Sequence, residues 1–506
     1  MSLESHTHTA ELHRLGNQAV DRFMKGDRLW LSLAVPGDEP QIPSPDLFNF
    51  GDEVNKQTRS DDGIPDKPTE TFYKPTEPTT AEKEEFDRLP TVAECATHLE
   101  LLEVFYVTRQ NILASKDIDN AMLITPRRET KTGKKGDTKT LKDETLWERR
   151  QEKWDKYVEF ACVRFLSWMN SLKMEDTIVT GIEPRIPKHL PPLDVLMVWH
   201  SFLLNPKLFW EQCGKRLIWR LRFPWQAIHD AINNHDWTFE LSVEDSDAYR
   251  NATSLPPDLY QSFREWHPPN VPLAFSWQRG ETELNDIKQL DRFSLKDAKY
   301  IGNVNGAILD TFPKKALAVY CKIFPEVDNA LACQLRDAVN RQVTFVDKMN
   351  AHIWIRSPAV EGTIRRAIDR YDKFLRILAR GKKFTIVPTL DVDLAWHTNQ
   401  CFSGLGYASA MKSRVGRFIN HDDTIAKETL GDGFGETRKL WRVYYGKEYR
   451  ICGCWDCEAL TSGIEGVTSQ AEIEAIAVEV ERQVKFYRVC ELRRRMNQTL
   501  PRLSDM

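Results

Sequence analysis

Apolar residues along this chain recur mainly at steps of three and four, the spacing that places side chains on one face of an α-helix. The pattern predicts helices over residues 10–33, 92–113, 154–173, 330–349, 363–379 and 469–487. Two of these helices open with a predicted capping box, formed by Thr91 with Glu94 and by Ser469 with Glu472. Few segments alternate with the two-residue period of a half-buried strand. The sequence therefore predicts a mainly α fold.

Polar and proline-rich stretches divide these helices into groups. Residues 51–90 and 125–152 are strongly polar, and residues 251–281 combine several prolines with aromatic residues, so we expect linkers or loops there. The expected organisation is an N-terminal helix and polar linker (1–90), a first helical unit (91–250), a connection (251–300), a second helical unit with a cysteine cluster (301–460) and a C-terminal helix (461–506).

The strongest pattern is an internal repeat. Residues 191–200 read PPLDVLMVWH and residues 388–397 read PTLDVDLAWH, so both fit P-x-L-D-V-x-x-x-W-H. A helix with aromatic residues at helical spacing precedes each copy and carries Arg164 in the first and Arg370 in the second. This order of elements predicts two related helical units, an internal duplication packed about a pseudo-twofold axis.

The polar residues of the repeat allow two interpretations. In the structural one, the aspartates stabilise the first helical turn, the tryptophans pack and the histidines bond to neighbouring polar groups. In the functional one, both copies build one polar centre that binds a metal or a carboxylate ligand, or that acts as the acid–base centre of an enzyme. Its candidate residues are Arg164, Asp194, His200, Arg370, Asp391 and His397.

The spacing within each copy limits how such a centre could form. Aspartate and histidine lie six residues apart in each copy and do not share a helix face. We therefore expect them to converge only between copies, with His200 facing Asp391 or His397.

The motif C-x-C-x-x-C is a second candidate site. Cys452, Cys454 and Cys457 form it, and three thiols at this spacing match the local density of zinc ligands. Candidates for a fourth ligand are His421, Asp422 and Cys401. The set that we predict is the three cysteines with His421 and zinc as the metal. Buried structural cysteines and a redox-active thiol pair are the alternatives.

Familiar catalytic motifs are not found in the sequence. It contains no phosphate-binding G-x-x-x-x-G-K-[ST], no G-x-S-x-G and no H-E-x-x-H. The H-x-D at His421 suggests an iron-dependent oxygenase, but that class needs a later histidine, and His421 is the last one in the chain.

Composition and charge narrow the expected partners. With 41% hydrophobic residues and a net charge of -4, the chain resembles an ordinary soluble protein, and nucleic acid is not an expected partner. The sequence has no uncharged apolar run of about 18 residues and no secretory signal, so we expect no membrane and reduced cysteines in the cytoplasm or nucleus. The composition leaves protein partners and a small carboxylate ligand as the candidate binding partners.

Several motifs together resemble the glycine-rich domain-containing-protein-like family, in the form of its fungal-type members. They occur in order over about residues 90–460. The matching stretches are TVAECATHLELLEVF, LPPLDVLMVWHSFLLNPKLFWEQC, RQVTFVDKM, VPTLDVDLAWHTNQ, FINHDD and CGCWDCEA. The family's second copy often reads W-H-T-H, whereas this chain has Asn399 at the last position.

The resemblance implies a family without a defined biochemical activity. Its plant members carry a glycine-rich tail and have been linked to RNA-associated and developmental roles. This chain has 24 glycines and no such tail, so that link does not transfer directly. Three hypotheses follow: a binding or scaffold protein with a structural metal, an enzyme with an Asp/His centre, and an RNA-associated protein.

Overall fold

The fold is mainly helical, as the sequence predicts. The computed structural model describes residues 42–50, 88–121, 124–127, 129–132, 138–141, 143–179, 185–265, 328–380, 385–421, 427–465, 467 and 469–502. Within these ranges, fifteen α-helices accompany three short antiparallel hairpins. The helix predicted over residues 10–33 lies outside the described residues.

The described helices fall into those before residue 266 and those after residue 328. The first group comprises α1 (Val92–Ala114), α2 (Lys116–Ala121), α3 (Leu146–Ser171), α4 (Leu193–Leu203), α5 (Pro206–Cys213), α6 (Trp225–Asp230), α7 (Val243–Thr253) and α8 (Leu259–Glu265). The second comprises α9 (Asn329–His352), α10 (Val360–Arg380), α11 (Leu390–Gln400), α12 (Gly404–Val415), α13 (Lys427–Tyr445), α14 (Trp455–Gly463) and α15 (Gln470–Arg495). None of the helices described has both the length and the apolar character that crossing a membrane requires.

In the described part of the chain, the strands form three separate hairpins, and four short 3₁₀ turns lie between the helices. The hairpins pair β1 (Glu129–Thr132) with β2 (Thr138–Leu141), β3 (Thr177–Val179) with β4 (Arg185–Pro187), and β5 (Ile232–Asn233) with β6 (Thr238–Phe239). The 3₁₀ turns are Pro45–Phe48, Met174–Asp176, Leu217–Arg220 and Trp354–Arg356.

One of the two predicted capping boxes is confirmed. Thr91 Oγ1 accepts a hydrogen bond from Glu94 N at 3.2 Å, and Glu94 Oε2 accepts one from Thr91 N at 2.8 Å. The second prediction is wrong, because the side chain of Ser469 makes no capping bond although α15 begins at the next residue. Ser469 is exposed, so water can satisfy the first amides of that helix.

Helix α1 lies at the centre of the molecule. It packs against α3, α6, α9, α10 and α11. It is buried on nearly all sides, and the buried set includes the polar residues His98, Glu100 and Glu103. The main apolar core runs around it and takes residues from Leu47 to Val484, while a second core lies among α10, α11, α12 and α13. A helix enclosed in this way has to bond its polar side chains inside the protein.

The proline-led helices of the repeat are held by matching buried ion pairs. Helices α4 and α11 have 11 residues each and pack against the long helices α3 and α10. Arg164 Nε donates to Asp194 Oδ2 at 2.6 Å. Arg370 Nε donates to Asp391 Oδ2, also at 2.6 Å. Each aspartate is therefore neutralised by the helix that precedes it.

Helix α12 approaches the first half of the chain at a glycine. Gly404 is its first residue, and a Cβ atom added there would lie 2.0 Å from Cε3 of Trp219. Next to this contact, Phe223 N donates to Cys401 O at 3.0 Å. The ring of Trp219 therefore rests directly on the backbone of α12.

We expect the loss of one partner from either buried ion pair to destabilise the folded protein. Replacing Arg164 or Arg370 by leucine leaves a buried, uncompensated carboxylate, and each change should lower the free energy of unfolding by about 3–5 kcal/mol. The matched control is Arg365→Leu on α10, because Arg365 forms an exposed pair with Glu361. That substitution should change the free energy of unfolding by less than about 0.5 kcal/mol. Urea denaturation measures all three, and equal effects for Arg164→Leu and Arg365→Leu would contradict the expectation.

Glu103 should make the protein less stable as the pH rises. Its side chain is buried, Oε2 accepts from Asn350 Nδ2 at 2.6 Å, and burial raises its pKa from 4.5 to about 7. The folded state therefore keeps a proton that the unfolded state releases, so the contribution of Glu103 to stability is fully present below pH 4.5 and falls by roughly 3 kcal/mol as the pH rises through 7.

Glu103→Gln should remove this fall, because the amide carries no titrating proton. Denaturation curves measured between pH 4.5 and pH 8 report the difference, with the exposed Glu361→Gln as the control. Parallel pH profiles for the wild type and Glu103→Gln would show that this carboxyl is not the group responsible.

Candidate functional site

A carboxylate and two imidazoles converge beside α11. Asp393 lies one helical turn before His397, so both side chains share a face of the helix. His421 reaches them from the segment after α12. His397 Nε2 lies 3.1 Å from His421 Nε2, and Asp393 Oδ1 lies 3.4 Å from the first and 3.5 Å from the second. We call these three residues the Asp–His–His cluster.

The spacing of these atoms is that of ligands around one metal ion. Nitrogen and oxygen ligands bind zinc at about 2.0–2.1 Å, which places tetrahedral ligand atoms about 3.3 Å apart. The three separations in the cluster bracket that value. One ion could therefore lie within bonding distance of all three ligand atoms.

The environment keeps the cluster in a form that can bind a metal. Burial lowers the pKa of His397 to about 3, with Asp393 opposing that effect, so the imidazole is neutral and its lone pair is available. The side chains of Asp393 and His421 are 20% and 12% exposed, against 2% for His397. The cluster therefore has an open side through which an ion can enter.

Neighbouring groups fix the position of His421. Its ring lies edge-on to Trp396, with centroids 5.1 Å apart. Trp396 Nε1 donates to the Tyr407 hydroxyl at 2.9 Å, and that hydroxyl donates to Ile419 O at 3.0 Å. The backbone two residues before His421 is thereby tied to the helix that carries the other two members of the cluster.

A second group of buried imidazoles joins the two halves of the chain. His98 Nδ1 lies 2.8 Å from Thr398 Oγ1, and His98 Nε2 lies 2.9 Å from His200 Nε2. We call these three residues the imidazole seam. Burial, together with the neighbouring His397, lowers the pKa of His200 to about 3. Burial and the two other histidines also hold the pKa of His98 well below 6.5, so both rings are neutral.

The direction of the hydrogen bonds in the seam follows from Thr398. Its hydroxyl donates to Leu394 O at 2.8 Å, so it accepts from His98 Nδ1–H. The Nε2 atom of a neutral His98 then carries the lone pair. His200 must donate its Nε2–H to that lone pair. The tautomers of both histidines are thus set by one threonine.

The six residues predicted to form one centre separate into different groups. Each arginine bonds to the aspartate of its own copy, and the histidines have other partners. His200 bonds to His98 rather than to Asp391 or His397, although His397 is near enough to lower the pKa of His200. His397 itself contacts Asp393 and His421. The reason is the six-residue spacing, which turns each aspartate towards the arginine of the preceding helix and away from its histidine.

Two residues of this region were missed by the sequence analysis. Asp393 has a detectable signal, since it stands four residues before His397 on one helix. The equivalent position of the first copy is Leu196, so only the second copy carries the carboxylate. His98 has no motif, and only the packing of α1 brings it to His200.

The three cysteines of the C-x-C-x-x-C motif come together at the start of α14. Their sulfur atoms lie within 4.8 Å of one another, and Cys454 Sγ accepts from Cys457 N at 3.5 Å. Burial, with the neighbouring thiols, raises the pKa of Cys457 to about 12. A bound cation would reverse that effect by stabilising the thiolates.

None of the fourth ligands predicted for the cysteines joins them among the described residues. His421 belongs to the Asp–His–His cluster, where its Nε2 contacts His397 and Asp393. Cys401 is fully buried at the end of α11. Asp422 lies outside the described residues.

Comparison with known proteins supports the resemblance found in the motifs. Residues 312–404 match the family model described as Glycine-rich domain-containing protein-like. Glycine-rich domain-containing protein 2 of Arabidopsis thaliana is 31% identical over 108 residues, which are 20% of this chain and 13% of that protein. Glycine-rich domain-containing protein 1 of the same plant is 32% identical over 98 residues, which are 18% of this chain and 12% of that protein.

These matches cover a limited part of each protein. The chain aligns with 13% and 12% of the lengths of these two relatives. No solved structure matches the chain. The family match includes α9, α10 and α11, and so contains Asp393 and His397. The resemblance of this chain to the glycine-rich domain-containing-protein-like family is therefore confirmed, with residues 312–404 as the region that carries it.

Proposed function

We propose that this protein binds a divalent metal ion at the Asp–His–His cluster and that this centre is its functional site. The observation that carries the proposal is the set of three ligand atoms 3.1–3.5 Å apart. Two imidazoles and one carboxylate suit zinc or ferrous iron better than magnesium or calcium, which prefer oxygen ligands. The proposal keeps the enzyme hypothesis from the sequence and retains His397. Asp393 and His421 replace the other predicted residues of the centre.

Three protein ligands leave room for a further ligand. Structural zinc sites usually have four protein ligands, whereas catalytic sites keep one position for water or substrate. A metal held by Asp393, His397 and His421 would lower the pKa of a bound water or polarise a carbonyl oxygen. The partly exposed side of the cluster supports this kind of use.

We further propose that the two proline-led helices arose by duplication and form a common scaffold. The matching Arg164–Asp194 and Arg370–Asp391 pairs support this. Both arginines also lie over a tyrosine ring, 5.0 Å from the centroid in the first copy and 5.4 Å in the second. In this proposal the metal centre developed in the second copy alone.

A binding or scaffold protein with a structural zinc is the second candidate function. The close approach of the three thiols in C-x-C-x-x-C favours it. A cytoplasmic or nuclear location fits both candidates, because thiolate ligands and ferrous iron need a reducing compartment. The two functions are compatible, since they use different residues.

The metal proposal predicts that the cluster residues control one metal equivalent. Asp393→Asn, His397→Ala and His421→Ala should each weaken zinc or iron binding by more than the roughly 10–100-fold that loss of a supporting hydrogen bond costs, because each removes a ligand. Binding is measured on the full chain by titration after chelation, together with elemental analysis of the purified protein.

The controls separate this site from the thiols and from misfolding. His235→Ala is the matched control, because His235 is an exposed histidine. An organomercurial reagent releases only metal held by thiolates. The metal equivalent that stays bound after this treatment therefore belongs to the Asp–His–His cluster. Asp393→Asn preserves the shape of the side chain and should leave the circular dichroism spectrum unchanged. Unaltered affinity in all three variants, or a wild type that binds no such equivalent, would disprove the proposal.

A further inference from the structure

The C-x-C-x-x-C motif faces the end of another helix. Its three sulfur atoms lie within 4.8 Å of one another. Gly453 between the first two cysteines adopts a left-handed backbone with a φ of 69°, which turns the chain into α14. Three thiolates at this distance repel one another, and a single ion needs one further ligand to complete a tetrahedral site.

Two hydrogen bonds join this motif to the carboxyl end of α9. That helix ends at His352, because Ile353 adopts a φ of 48°. Trp354 Nε1 donates to Gly453 O at 2.7 Å. In the opposite direction, Trp455 Nε1 donates to His352 O, also at 2.7 Å. The end of α9 and the start of α14 are therefore held in register by a reciprocal pair of bonds.

The imidazole of His352 borders the motif. A Cβ atom added to Gly453 would lie 3.6 Å from His352 Cε1 and 3.8 Å from His352 Nδ1. The ring lies beside Trp354, with centroids 5.2 Å apart, and His352 is only partly buried. It therefore lies next to the residue that separates two of the thiols.

We propose that Cys452, Cys454, Cys457 and His352 bind one zinc ion as a Cys₃His site. In the structure the imidazole lies beside Gly453, the residue between the first two cysteines, and metal binding requires its side chain to turn towards the sulfur atoms. His352 thus takes the place that the sequence gave to His421. The hydrogen bonds on both sides of His352 already fix the backbone positions that the site needs.

The bound zinc would cross-link two segments that are far apart in the sequence. Helix α14 packs against α15 and α10, while α9 packs against α1, α3 and α4. A metal shared by the end of α9 and the start of α14 joins these two groups of helices at one point. This role differs from that of the Asp–His–His cluster. The proposal rests on the structural zinc of the second candidate function and names its fourth ligand.

The test compares two substitutions at the same position in the full chain. His352→Ala should weaken the binding of zinc that an organomercurial reagent releases by at least about 100-fold, since it removes a ligand. His352→Cys should restore tight binding, because a thiolate can take the same corner of the tetrahedron. In cobalt-substituted protein, thiolate-to-metal absorption should be present in the wild type and stronger in His352→Cys.

The control variants report on nonspecific effects. His235→Ala removes an exposed histidine and Cys333→Ser removes a partly buried cysteine of α9, and both should leave thiolate-held zinc unchanged. The restoring variant also guards against misfolding, since a site lost by unfolding would not return in His352→Cys. The proposal would be overturned if the wild-type protein held no zinc that an organomercurial reagent releases. It would also be overturned if His352→Ala bound this zinc with wild-type affinity.

Discussion

Buried imidazoles need hydrogen-bond partners inside the protein, and this requirement governs how the two halves of the chain meet. A buried polar group left without a partner costs about 1–3 kcal/mol. His98 on α1 meets the requirement by bonding to His200 on α4 and to Thr398 on α11. These bonds have only one consistent arrangement of protons, since Thr398 already donates to Leu394. The relative position of three helices is thus specified by polar contacts as well as by apolar packing.

The two copies of the W-H motif share a framework and differ in chemistry. In both, a buried arginine–aspartate pair secures the start of the helix and leaves the histidine near its other end. In the first copy that histidine, His200, belongs to the imidazole seam. In the second, Asp393 adds a carboxylate one turn earlier, and the histidine meets His421. The two motifs therefore differ at one matching helix position, Leu196 in the first and Asp393 in the second, and in the presence of His421 beside the second.

The sequence predicted what depends on local spacing and missed what depends on long-range packing. Helical periodicity predicted five of the long helices but not α13, and Thr91 with Glu94 predicted a confirmed cap, because both signals lie within a few residues. The hairpin of β1 and β2 lies in a polar segment without an apolar stripe that could predict strands. Asp393 could have been predicted from its four-residue spacing to His397. The contact between His98 and His200, in contrast, follows only from the packed fold.

The contact between Gly404 and Trp219 has a consequence for how related sequences can diverge. Any side chain at position 404 would overlap the indole ring, so mutation there requires a smaller residue at position 219 or a displaced helix. We expect the two positions to vary together among descendants of this protein: glycine should accompany a large aromatic residue, and a larger residue should accompany a smaller partner.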